Sequence, residues 1–182
     1  MSFVVWFTGL SGAGKTTIAK ALCAQLGEGL LIDDDDLQAG LCDDLGASGL
    51  DRRESVRRAV HLALLSAKQG TPGIVSLVSP RRTARLHARV LCEHAGIPFY
   101  EVYVATPLEV CEARDPKGLY VRARAGQLLL FPGVHPGAPY EPPAPEDHAI
   151  SIETRTTTPA QAAMYVRSHL KRYYLTDFLK GE

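Results

Sequence analysis

Lys and Arg balance Asp and Glu at 20 each, so the 182-residue chain has no formal net charge and no electrostatic pull toward nucleic acid or an anionic membrane surface. With 46 % hydrophobic and 22 % charged residues, it is too apolar for a disordered chain and long enough for one α/β domain spanning 1–182. The four cysteines show no C-x-x-C or metal-ligand spacing. They read as buried free thiols, and with no basic leader or membrane-length apolar run the expected location is the cytoplasm.

The first apolar run, Phe3-Val4-Val5-Trp6-Phe7, has the length and residue types of a buried parallel strand. It leads into Gly9-Leu10-Ser11-Gly12-Ala13-Gly14-Lys15-Thr16, which fits the phosphate-binding pattern G-x-x-x-x-G-K-[ST]. Ile18, Ala21, Leu22 and Leu26 then recur at helical spacing. Strand, glycine-rich loop and helix together are the context this chemistry requires. The loop amides and the positive helix end converge on phosphate oxygens. Lys15 brings a mobile charge to the outer phosphates, and the Thr16 hydroxyl is placed to ligate Mg²⁺.

A second short strand, Gly29 to Ile32, ends in Asp33-Asp34-Asp35-Asp36, and a short helix follows through Leu37 to Leu41. Asp51 to Gln69 reads as a long amphipathic helix, with Asp51 as N-cap and Glu54 completing a capping box. Gly73 to Val78 is a third strand ending at Ser79-Pro80, and Arg81 to Ala95 the next helix. Phe99 to Val104 is a fourth strand, and Pro107 to Arg114 a short helix with Pro107 in its first turn. From 115 to about 147 regularity gives way to glycine and proline. A loop this long inside a compact domain is functional or mobile, and it is the candidate lid. His148 to Ile152 is a fifth strand, and Thr157 or Thr158 caps a last helix starting at Pro159. This alternation predicts an α/β P-loop NTPase fold, a parallel sheet of about five strands with helices on both faces. Ligands then lie beyond the carboxyl ends of the strands. The P-loop, Asp33/Asp35 and Ser79 are expected to converge there on one crevice.

Four consecutive aspartates repel one another, and a bound Mg²⁺ would offset that cost. Asp33 and Asp35, two apart on a chain leaving a strand, can face one side. One can hold metal waters while the other accepts a proton from a substrate hydroxyl. The plainer reading is a solvated acidic turn, but the P-loop upstream favours the functional one. Arg52, Arg53, Arg57 and Arg58 stand on the long helix, where arginine can grip phosphate or sulfate bidentately. A solvated helix face is expected for two of them, and Arg81, Arg82 and Arg85 face the same choice. Ser79 can either bond substrate or cap the following helix. No Ser-His-Asp or Cys-His assembly is present, and the six histidines are scattered.

With these residues in view, nearly the whole chain resembles the adenylylsulfate kinase (APS kinase) family. The resemblance rests on Gly9 to Thr17, on Asp44-Leu45-Gly46, on Asp51-Arg52-Arg53-Glu54 with Arg57-Arg58, and on Val78-Ser79-Pro80. Its most diagnostic block runs from Thr106-Pro107-Leu108-Glu109-Val110-Cys111-Glu112 to Arg114-Asp115-Pro116-Lys117-Gly118-Leu119-Tyr120, followed by Arg122 to Gly126 and Phe131.

The resemblance implies transfer of the γ-phosphate of MgATP to the 3′-hydroxyl of adenosine 5′-phosphosulfate (APS). Lys15, Asp33, Asp35 and Ser79 would then be the reacting-site residues. Gly9, Ser11, Gly12, Ala13, Gly14, Lys15, Thr16 and Thr17, with Arg114 and Lys117 of the lid region, would hold ATP. Thr16 and Asp33 would serve Mg²⁺. Asp35, Gln38, Arg52, Ser55, Val78, Ser79 and Phe131 would face the acceptor. A homodimer is the implied assembly.

The chain departs from the family pattern on the acceptor side. D-G-D-N-x-R reads Asp33-Asp34-Asp35-Asp36-Leu37-Gln38, the L-G-F-S phenylalanine is Ala47, and the D-R-x-E-N asparagine is Ser55. A lid lysine and glycine are Leu129 and Leu130. The changes remove two cations, which predicts weak APS use. Two alternatives stand beside the leading reading: a related kinase acting on another nucleoside or sugar hydroxyl, and a non-catalytic nucleotide-sensing domain.

Overall fold

A computed structural model describes residues 2–178 of the chain. Its strands are β1 (Val4–Thr8), β2 (Leu30–Asp33), β3 (Gly73–Ser76), β4 (Phe99–Val104) and β5 (Ile150–Ile152). They pair in parallel in the order β2-β3-β1-β4-β5. Around them lie α1 (Lys15–Leu26), α2 (Asp34–Gln38), α3 (Gly49–Lys68), α4 (Arg82–His94), α5 (Leu108–Arg114), α6 (Leu119–Arg124) and α7 (Pro159–Phe178). The expected P-loop architecture is present.

β1 is the middle strand of the five, and every one of its residues is buried. Its side chains alternate between two cores, as a strand covered on both faces requires. Val5 and Phe7 pack with Ile18, Leu22, Ala163 and Val166 of α1 and α7. Val4 and Trp6 pack with Val56, Val60, Ala88 and Cys92 of α3 and α4. The chain runs from β1 to β2 and β3 on one side of the sheet, then crosses to β4 on the other. That reversal at β1 opens a crevice at its carboxyl end, where the glycine-rich loop begins.

Two expectations are corrected. The N-cap of α3 is Ser48, one turn before Asp51: the Ser48 hydroxyl accepts from the Asp51 amide at 3.1 Å, and Asp51 Oδ2 accepts from the Ser48 amide at 3.2 Å. Gly49 masks this start because glycine is a poor helix former, yet the reciprocal bonds hold the first turn. Glu54 instead binds Arg57 and Arg58. We expect Ser48→Ala to destabilise the chain by about 1 kcal/mol, seen as a lower urea midpoint at unchanged m-value.

The second correction concerns the irregular stretch after Arg114, which contains a helix. The Asp115 carboxylate accepts from the amides of Tyr120 and Val121, both at 3.1 Å, and so caps α6. Tyr120 anchors that helix, donating to the Ser11 carbonyl at 2.9 Å and meeting Phe131 edge-on at 5.1 Å. At the far end of the chain, Thr158 and Gln161 form the capping arrangement expected for α7.

Candidate active site

The loop between β1 and α1 is bent by glycine. Gly14, the N-cap of α1, has φ 106°, a left-handed conformation that side-chain-bearing residues rarely adopt. At Gly9 a Cβ would lie 2.6 Å from the Val104 carbonyl oxygen, so the loop can only pass β4 without one. Ala13 is fully buried, and its carbonyl accepts from Thr106 Oγ1 at 2.9 Å and Thr154 Oγ1 at 3.2 Å. Holding that carbonyl from behind fixes the peptide planes of the loop.

Lys15 opens α1 and is 8 % exposed. Its ammonium donates to the Leu10 carbonyl at 2.8 Å. Burial lowers its pKa to about 8, although the carboxylates of Asp34 and Asp33 favour the charged form. Thr16 Oγ1 donates to Asp33 Oδ2 at 2.6 Å and lies 3.1 Å from Ser76 Oγ. The ends of β2 and β3 therefore meet the first turn of α1. The other Asp33 oxygen accepts from the Asp35 amide at 3.2 Å and caps α2.

These groups line a cavity of about 700 Å³ that also takes in Asp34, Asp35, Arg52, Val78, Arg114, Lys117 and Phe131. Asp35 is exposed and paired with Lys117. Asp34 was not singled out from the sequence, yet it faces this cavity. Burial raises its carboxyl pKa, opposed by the charge of Lys15. Arg114 donates to Thr154 Oγ1 at 2.8 Å and Thr154 O at 3.1 Å, tying the end of α5 to the strand-end segment after β5.

A second cavity of about 610 Å³ adjoins the first, sharing Arg52 and Pro132. Its wall includes Ala47, Leu50, Arg53, Val56, Ser79, Pro80, Arg81, Leu130 and Glu141. Arg52 stands between the two, donating from Nε to Ala47 O at 3.1 Å and from Nη2 to Leu130 O at 3.0 Å. The expected single crevice is thus two, joined at an arginine.

Several candidates lie elsewhere than expected. Ser79 is buried and outside the first cavity, and its hydroxyl accepts from Trp6 Nε1 and donates to Thr8 Oγ1, both at 3.0 Å. With its hydroxyl engaged by Trp6 and Thr8 it does not cap α4, whose N-cap is Arg81, and it reaches the wall of the second cavity rather than the first. Gln38 is exposed and Ser55 buried on the core face of α3, and neither lines either of these two cavities. Leu129 is 76 % exposed, whereas Leu130 turns back into the second cavity wall. Of the α3 arginines, Arg57 and Arg58 are paired with Glu54 and Asp44, while Arg52 and Arg53 line the cavities. Arg81 pairs with Glu141, Arg82 with Glu146 and Asp147, and Arg85 with Glu101. Sequence reasoning missed Ser76, Thr154 and Tyr120, and isolated residues of these types give no signal before the strands are aligned.

Among the described residues no cluster of three or more His, Cys, Asp or Glu is arranged to hold a metal, and no helix is long and apolar enough to cross a membrane. Comparison with known proteins then adds the family. The Adenylylsulphate kinase family model matches residues 1–151. An adenylyl-sulfate kinase of Burkholderia ambifaria is 46 % identical over 173 residues, 92 % of each chain. One of Myxococcus xanthus is 45 % identical over 157 residues, 85 % of this chain and 84 % of the relative. The solved Mycobacterium tuberculosis APS kinase CysC, in complex with AMPPNP and APS, is 40 % identical, superposes with a TM-score of 0.87, and covers 93 % of this chain and 98 % of its own. On sequence, fold and site together, the chain belongs to the adenylylsulphate kinase family.

Proposed function

We propose that the chain transfers the γ-phosphate of ATP to the 3′-hydroxyl of adenosine 5′-phosphosulfate. The observation that carries this reading is the pair of cavities meeting at Arg52, one ringed by the P-loop and the other roomy enough for a second nucleotide. ATP phosphates sit on the loop amides and Lys15, with Arg114 and Lys117 on the lid side. The acceptor enters from the second cavity, its anionic end toward Arg52 and its hydroxyl toward the aspartates. Asp35 takes the hydroxyl proton, which requires Lys117 to leave it, and phosphate charge is the natural competitor for that lysine. In-line transfer then needs positioning and charge stabilisation more than covalent help from the protein.

Mg²⁺ belongs to the same reading. Thr16 and Asp33 offer hard oxygen donors beside the phosphate-binding loop, which suits an ion that takes one or two protein ligands and completes its shell with phosphate and water. When bound it would neutralise charge on the phosphate oxygens.

A less anionic acceptor is the second reading, favoured by two groups in the cavities. Ala47 removes an aromatic from the second cavity, and Asp34 adds a carboxylate to the first where the family pattern has glycine. A carboxylate between Lys15 and Arg52 repels a phosphosulfate. The KM for APS is therefore expected at least tenfold above that of a relative with the full set, equivalent to about 1.4 kcal/mol. Asp34→Gly should lower it and leave the KM for ATP less changed. Steady-state assays with APS, uncharged nucleosides and sugars decide. Micromolar KM for APS with no turnover of the others leaves a plain APS kinase, while turnover of a nucleoside or sugar alone establishes the second reading.

A further inference from the structure

One charged residue sits where the packing calls for an apolar one. The buried stripe of α4 is Arg85, Ala88 and Cys92, and Arg85 is 1 % exposed. Its partner Glu101 lies in the middle of β4, equally buried. Arg85 Nε donates to Glu101 Oε1 at 2.7 Å, and Arg89 Nη2 donates to Glu101 Oε2 at 3.4 Å. A buried ion pair is no better for stability than apolar residues of the same volume. Stability alone therefore gives no reason for an arginine here, and its remaining donors point to another.

Those donors reach two irregular segments far apart in sequence. Nη1 donates to the Ser79 carbonyl at 2.9 Å and Nη2 to the Glu141 carbonyl at 2.7 Å. The guanidinium also lies 5.7 Å from the centre of the Tyr140 ring. Ser79 has φ 36°, a left-handed conformation that a serine holds only when its surroundings over-determine it. Trp6, Thr8 and Arg85 are the groups that do so. Tyr140 is fixed on its other side, its hydroxyl 2.9 Å from Thr8 Oγ1 and its ring stacked 5.8 Å from that of Tyr103. Ser79, Pro80 and Glu141 then form one wall of the second cavity. The Glu141 carboxylate is held in turn, accepting from Arg81 Nη1 at 2.6 Å and the Arg82 amide at 2.8 Å.

We propose that Arg85 is a positioning residue for the acceptor: its fork of donors holds the Ser79–Pro80 turn and the Tyr140–Glu141 segment together as one wall of the acceptor cavity. The inference rests on the reading that the acceptor occupies the second cavity. Lysine can keep a charge opposite Glu101 but cannot bond three acceptors along the directions that a planar guanidinium reaches. Arg85 touches neither the P-loop nor Thr16, so ATP binding is outside its reach.

The test uses the full chain with ATP and APS. Arg85→Lys should keep the fold, raise the KM for APS about tenfold or more, and leave the KM for ATP within twofold. Should it not fold, the double variant Arg85→Met with Glu101→Leu removes both charges at once, and the same split is expected. An unchanged KM for APS in a folded variant overturns the proposal alone, since wild-type turnover keeps the functional reading intact. A parallel rise in both KM values also overturns it, because that marks a general loss of structure. If wild type turns over no APS, or Arg52→Ala leaves its KM unmoved, the acceptor-cavity reading falls and the proposal falls with it.

Discussion

Lys15→Ala should lower kcat by at least about a hundredfold, the scale set by losing one preorganised donor to transition-state charge, while the fold survives. Among the described residues the Lys15 ammonium donates to the Leu10 carbonyl alone, which leaves its other N–H groups for the phosphate it is proposed to meet. Burying it is unfavourable: its pKa falls from 10.5 to about 8 because desolvation opposes the charged form. The folded state thus holds this proton less tightly than the unfolded chain does. The resulting penalty is complete below pH 8 and fades as pH rises toward 10.5. Wild type should gain stability across that window from this group, and the alanine variant should lack that gain. At neutral pH the variant should melt no lower than wild type. Activity within threefold of wild type would remove the phosphate-binding role.

That loop was legible in the sequence because its chemistry is local. Glycines at fixed offsets, a lysine and a threonine must be contiguous to wrap a phosphate, so the pattern survives without any knowledge of the sheet. The strands were legible for a similar reason, since a strand buried on both faces is a short continuous apolar run, as in Phe3-Val4-Val5-Trp6-Phe7. What the sequence could not reveal depends on where strands end relative to one another. Ser76 is an ordinary serine until β3 lies beside β1 and brings it 3.1 Å from Thr16 Oγ1. Ser79 has the composition of a site residue but the surroundings of a core one, because the left-handed turn after Leu77 carries its hydroxyl toward Trp6. Arg85 shows the converse. At the start of a helix, in a run of arginines, it resembles a solvated face, and only the register of α4 on β4 turns it inward to Glu101. Helix starts fail for a subtler reason: Asp51 and Ser48 are both good caps, and the extended backbone of Ser48 with its reciprocal bonds to Asp51 makes Ser48 the one that acts.

The acidic cluster gives the second large effect, and the geometry separates its members. Asp33 is 4 % exposed and bonded through one oxygen to Thr16 and through the other to the Asp35 amide. Asp35 is exposed and paired with Lys117. Asp33→Asn keeps an acceptor for one of those bonds but loses the charge beside Thr16. Its turnover should fall and then recover in part as Mg²⁺ is raised, because a weakened cation site is refilled by mass action. Asp35→Asn should lower kcat about a hundredfold or more, the range for losing a general base, with ATP affinity within twofold and no recovery at high Mg²⁺. On the proposed reading ATP is held mainly by the loop amides and Lys15, which do not touch Asp35, and Lys117, the ion-pair partner of Asp35, stays in place to meet phosphate. The contrast matters more than either value, since a cluster acting only as a diffuse negative field would give two variants of equal behaviour. If both retain full kcat, neither Asp33 nor Asp35 serves the reaction and the proton must leave by another route. Asp34, facing the same cavity, is then the residue to replace with asparagine next.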